Sequence, residues 1–134
     1  MSDLRSNKLS IVFQDLRLFP DHTAYENILV KRSLQPYRED RIQLMADRLG
    51  ISNKLKQPIR NCSYGEQQRV AIIRALQQPF ELLILDEPFS HLDENNSKIA
   101  MQLILEESKL RNAAIILLDL DKVPFYPADS LFHL

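Results

Sequence analysis

Leu82-Leu83-Ile84-Leu85-Asp86-Glu87-Pro88 is the stretch that decides the fold. Four consecutive large apolar residues between Pro79 and Pro88 are too few for a helix and read as a strand buried on both faces. Such strands belong to parallel sheets covered by helices, so the fold class is α/β. The run ends in two adjacent carboxylates. Ligands of open α/β sheets bind beyond the carboxyl ends of the strands. Asp86 is therefore placed to hold a hydrated Mg²⁺, and Glu87 to orient or deprotonate an attacking water. For these residues taken alone, a strand ending in solvated charges is the plainer reading.

Downstream, Asp93 can cap a helix running to about Leu110, with Ile99, Leu103 and Leu110 on its apolar side. Residues 113–118 (AAIILL) read as a second buried strand, and 130–134 as a further short one. Upstream, Lys8 to Phe13 (KLSIVF) reads as a strand entering a turn at Gln14-Asp15, followed by a loop over 16–22. Thr23 to Leu34 reads as a helix. Pro36 opens the next one, with Ile42, Met45 and Leu49 on one face and Gly50 at its stop. An irregular connector over 51–60, broken by Pro58, leads to a helix from Tyr64 to about Gln77, ahead of Pro79. Strands alternating with helices at both ends predict a parallel sheet, interrupted by a helical insertion.

Ser63 and Glu66 have the spacing of a capping box, in which the hydroxyl accepts the exposed amide and the carboxylate reaches back. Two readings stand here. One is a well-capped helix; the other is an anion site at its N-terminus, where free amides and the positive dipole end favour a phosphate.

Composition limits what else the chain can do. Its 134 residues suffice for one domain. Seventeen basic against eighteen acidic residues, with no basic run, suggest no nucleic-acid surface. The single cysteine, Cys62, excludes an internal disulfide. No apolar run approaches the ~20 residues that span a bilayer, and the first eight residues lack a signal peptide's apolar stretch. No direct membrane insertion and a cytoplasmic location are therefore expected. There are two glycines, Gly50 and Gly65, where average usage would give roughly nine. Neither completes a G-x-x-x-x-G-K-[ST] or G-x-G-x-x-G phosphate loop.

Taken together, the motifs resemble the ATP-binding cassette (ABC) ATPases. They are Cys62-Ser63-Tyr64-Gly65-Glu66 with Gln67-Gln68-Arg69-Val70 and on to Leu76, Leu85-Asp86-Glu87-Pro88, and Ser90-His91-Leu92-Asp93. In that family the signature helix, Walker B strand and D-loop follow in this order. Ile11-Val12-Phe13-Gln14 is similar to its Q-loop, with Leu18-Phe19-Pro20 and Tyr25-Glu26-Asn27 following as in many transporter subunits. The resemblance runs from about residue 8 to 134. It implies a partial P-loop NTPase (RecA-like) parallel sheet from 8–15 and 79–134, with the ABC helical subdomain inserted at 16–78. It also implies ATP and Mg²⁺ as cofactors. Gln14 and Asp86 would lie at the metal, with Gln14 also near the attacking water, and Glu87 would be the base. Ser63, Gly65 and Glu66 of the signature would face ATP held by a second ABC ATPase protomer, and Asp93 would act across that dimer. Transmembrane transporter subunits would be the other partners, holding the chain peripheral to the inner membrane.

Three departures from the family bear on activity. The Walker A loop, which the family carries well upstream of the Q-loop strand, has no counterpart in the 13 residues before Gln14. Tyr64 stands where the signature normally has glycine; its phenol either obstructs a phosphate or points away. The position of the family's switch histidine falls on Leu120, or on Asp119 in the alternative alignment, and neither replaces an imidazole. His22, His91 and His133 read as surface or loop residues. Charge-assisted hydrogen bonds are worth roughly 1.5–3 kcal/mol each, so three missing loop contacts remove about 4–9 kcal/mol. A micromolar site totals about 8 kcal/mol, which predicts millimolar nucleotide binding or none by this chain alone. The resulting expectation is an incomplete ABC ATPase domain, inactive by itself. The alternative is a non-catalytic regulatory partner of a complete ABC ATPase or of a membrane subunit.

Overall fold

A computed structural model describes residues 9–30 and 39–119. Strands β1 (Leu9–Val12), β2 (Leu82–Asp86) and β3 (Ala114–Leu118) form a parallel sheet in the order β1-β2-β3. Ile84 lies between Ile11 and Ile116 in register. Parallel neighbours require long crossovers. From β1 to β2 the chain passes through α1 (Ala24–Leu29), α2 (Glu39–Arg48) and α3 (Tyr64–Ala75); from β2 to β3 it passes through α4 (Glu94–Leu110). The connector ahead of α3 consists of two short 3₁₀ turns, Ser52–Lys54 and Ile59–Asn61.

Helix α3 is the centre of the packing. It touches α1, α2, α4 and β1, and buries Val70 to Ala75 without interruption. A helix that buries Val70, Ala71, Ile72, Ile73 and Ala75 on successive faces, with Arg74 the one charge among them, sits inside the molecule. Ile42, Met45 and Leu49 of the α2 region are all buried, as their spacing predicts. The loop from Leu16 to His22 is held by the fully buried Asn27. Its side chain accepts the Phe19 amide at 2.7 Å and donates to the carbonyls of Phe19 and Thr23 at 3.1 and 2.9 Å.

The described elements differ from the sequence expectations in three places. The helix expected over 23–34 is observed as Ala24–Leu29; residues 31–38, with Pro36, lie outside the described residues. In α4 the inward positions are Ala100, Met101, Leu103 and Ile104, continued in the last turn by Glu107 and Ser108, whereas Leu110 is 72% exposed. β3 is not buried: none of its five residues is fully covered, and Ile116 is 43% exposed. Among the described residues β3 pairs on one side only, with β2. Apolar composition cannot distinguish a central strand from such an edge. The strand expected over 130–134 lies outside the described residues, as do Leu120 and His133.

Candidate active site at the carboxyl edge of the sheet

β1 and β2 end beside each other, with Val12 opposite Leu85, which delivers Gln14 and Glu87 to the same edge. The Gln14 carboxamide donates to Glu87 Oε2 at 2.9 Å although 73 residues separate them. Glu87 adopts φ 46°, in the left-handed region. A non-glycine residue there costs on the order of 1–3 kcal/mol and persists only where its surroundings hold it. Here the Glu87 amide donates to Leu118 O at 2.7 Å, so the chain leaves β2 sharply and the carboxylate meets Gln14.

Ser63 caps α3. Its hydroxyl accepts the Glu66 amide at 3.1 Å, and the Glu66 carboxylate accepts the Ser63 amide at 2.8 Å. Lys54 Nζ stands 3.9 Å from the other Glu66 oxygen. Asp93 caps α4 through the Asn96 amide at 2.7 Å and also accepts the Asn96 carboxamide at 3.2 Å. Among the described residues, the hydrogen bonds of Ser63, Glu66 and Asp93 do not reach Gln14, Asp86 or Glu87. The predicted site residues thus form one bonded pair, Gln14 with Glu87, and two helix caps.

Several contacts that the sequence did not reveal join these parts. Gly65 lies against the loop before α4: a β-carbon built on it would stand 2.6 Å from the His91 carbonyl oxygen. Gln68, 1% exposed, donates to Ser90 Oγ at 2.9 Å and to Glu87 O at 3.4 Å, and accepts the His91 amide at 2.9 Å. The Tyr64 hydroxyl donates to Gln14 O at 2.9 Å, and its ring lies 4.3 Å from that of His91. The phenol therefore folds across its own chain. His91 is an exposed turn residue, as expected, with its ring on Tyr64 and its amide on Gln68, and His22 is an exposed neighbour of Glu26 at 3.7 Å. Arg74, 5% exposed, donates to the carbonyls of Leu16 and Arg17 at 2.5 and 2.7 Å. Both of those residues have positive φ, 63° and 51°. Burial lowers the Arg74 pKa from its ordinary value. Burial likewise raises that of Cys62, disfavouring the thiolate and hence nucleophilic chemistry at that sulfur.

The donor set suits Mg²⁺ held together with a phosphate. Magnesium takes oxygen ligands and keeps several waters, so it needs only one or two protein oxygens beside the substrate. Asp86 at the end of β2 offers a carboxylate. Gln14, whose nitrogen is engaged by Glu87, still has its Oε1. Among the described residues no group of three or more His, Cys, Asp or Glu forms an all-protein metal cage.

A parallel sheet with an acidic pair at its carboxyl edge and a glutamine from the neighbouring strand bonded to that pair fit part of the P-loop NTPase fold. Residues 1–90 match the ABC transporter family, and the chain belongs to it as a relative of its ATP-binding subunits. The lipoprotein-releasing system ATP-binding protein LolD of Buchnera aphidicola is 36% identical over 126 residues, covering 90% of this chain and 55% of the relative. The molybdenum import ATP-binding protein ModC of Haemophilus influenzae is 38% identical, covering 81% and 30%. Among solved structures, cbiO1 of Clostridium perfringens, part of the ABC transporter complex cbiONQ, is 32% identical with a TM-score of 0.66. That match covers 92% of this chain and 51% of cbiO1. A dimeric ATP-binding cassette in a post-hydrolysis state, bound to ADP and Pi, is 26% identical with a TM-score of 0.72, covering 90% and 55%. The chain spans about half the length of the LolD relatives it matches. No helix among the described residues is long and apolar enough to cross a membrane.

Proposed function

We propose that this chain is the Q-loop, helical-subdomain, signature, Walker B and D-loop part of an ABC transporter ATP-binding subunit. The parent activity is ATP hydrolysis driving transport through membrane-embedded partner subunits on the cytoplasmic side. The observation that carries this reading is the 2.9 Å hydrogen bond from Gln14 to Glu87 at the carboxyl edge of the sheet.

In this reading Glu87 is the general base and Gln14 aligns it. The carboxamide holds one carboxylate oxygen and leaves the other to accept a proton from water. Asp86 and Gln14 Oε1 would hold Mg²⁺, which when bound neutralises charge on the phosphates. Ser63, whose oxygen accepts the Glu66 amide, keeps its own proton to donate to a phosphate oxygen of the opposite protomer's nucleotide. Gly65 leaves room for the loop before α4 to close against the helix start, Glu66 fixes the cap, and Asp93 faces the partner from the start of α4. Neither glycine of the chain lies in a phosphate-binding loop, so the 134 residues alone lack the strongest contacts to ATP.

Titrating the chain with Mg-ATP, with binding followed by calorimetry and phosphate release in parallel, tests the reading. Expected is millimolar or undetectable binding without turnover; micromolar binding with turnover would overturn it.

A further inference from the structure

We propose that Tyr64 and Gln68 are positioning residues, a bracket on one face of α3 that fixes Gln14 against Glu87. This rests on the reading of Gln14 and Glu87 as the acting pair. The two residues are four apart on a helix, which puts them on the same face one turn from each other. From that face Tyr64 holds the main chain of Gln14, hydroxyl to carbonyl oxygen, at 2.9 Å. Gln68 holds the segment that begins at Glu87, through Ser90 Oγ and the His91 amide at 2.9 Å each and the longer contact to Glu87 O at 3.4 Å. The Gln14–Glu87 bond closes the ring.

The geometry gives each end its own rigidity. Gln68 is buried and has both ends of its amide engaged, so the 87–91 segment cannot slide along α3 without leaving buried polar groups unpaired. Tyr64 is 39% exposed, and its ring is packed on His91, a residue of that same segment. Gly65 lies between the two anchors and admits the His91 carbonyl where a side chain would push it away. The hydroxyl of Tyr64 thus contributes one thing that its ring does not, the register of Gln14. A shift of about 1 Å at such a group is enough to spoil a reacting geometry.

The test uses the full chain without nucleotide, so failure of the ATP reading appears in the titration above and not here. Tyr64→Phe keeps the ring on His91 and deletes only the hydroxyl. The probe is the side-chain carboxamide resonance of Gln14 in a nitrogen-15-labelled sample, with Glu87→Ala marking its unbonded position. Expected is that Tyr64→Phe moves the Gln14 carboxamide to the Glu87→Ala position while the His91 ring signals stay in place. A Gln14 carboxamide unmoved in Tyr64→Phe, or already at the Glu87→Ala position in the unsubstituted chain, would overturn the proposal. Should Tyr64→Phe not fold, Gln68→Ala reads the bracket from its other end. A Gln14 carboxamide moved to the Glu87→Ala position supports it, and an unmoved one overturns it.

Discussion

At Gly65 two effects of opposite sign compete. Replacing glycine by alanine inside a helix gains roughly 0.5–1 kcal/mol from backbone entropy. The new β-carbon, however, would stand 2.6 Å from the His91 carbonyl oxygen. That atom is main chain, and the amide of the same residue is held by Gln68, so it cannot swing aside as a side chain would. Overpacking of this kind costs about 1–3 kcal/mol. Gly65→Ala is therefore expected to be destabilising on balance, and a lower urea midpoint at unchanged slope checks it. The motif marked this glycine as a phosphate contact, yet its first measurable role is to let the loop before α4 close on α3.

At the scale of elements, α3 governs the turn after β1 through Arg74. Two consecutive non-glycine residues in the left-handed region, Leu16 and Arg17, persist because one buried guanidinium takes both carbonyls. Hydrogen bonds to a charged group are worth about 1.5–3 kcal/mol each, and relief of the buried charge returns part of that when it is removed. Arg74→Met is expected to cost roughly 2–3 kcal/mol. It should also open the Leu16 amide, now bonded to Phe13 O at 3.0 Å, to hydrogen exchange; unchanged protection there would contradict this role. The elements themselves were largely readable. Spacing found α2, α3 and β2, and the capping box at Ser63 is present as expected. Arg74 and Gln68 were not readable as site supports, because a polar residue within a buried helix carries no mark of the distant carbonyl it will meet. Likewise β3 reads as apolar whether it is central or at an edge.

Across the whole molecule, ion pairs tie the helical insertion to the helix that follows β2. Arg48 of α2 grips Glu106 of α4 with two bonds, 2.8 and 3.0 Å, and Arg41 pairs with Glu107. Its hydrogen bond to Arg48 holds the Glu106 carboxyl below its ordinary value of 4.5. A carboxyl lowered by folding contributes stability that is fully present above its unfolded pKa and is lost as pH falls through the folded one. The urea midpoint should therefore drop as pH falls from about 5 through the acid range. Arg48→Ala should remove Glu106's share of that drop. Both groups are substantially exposed, so added salt should shrink the effect; a salt-independent profile would count against this attachment.

The chain's own order of residues determined its class. An apolar strand ending in Asp86-Glu87, a capped helix from Ser63 and Gln14 just after β1 are local patterns, each specified by a few neighbouring residues. Tertiary structure alone decided that Gln14 and Glu87 meet, that Tyr64 folds back onto Gln14, and that β3 stays at the edge of the described sheet. Those outcomes depend on contacts between residues tens of positions apart. Periodicity and spacing report only which face a residue occupies, whereas strand register and helix packing decide what that face will touch.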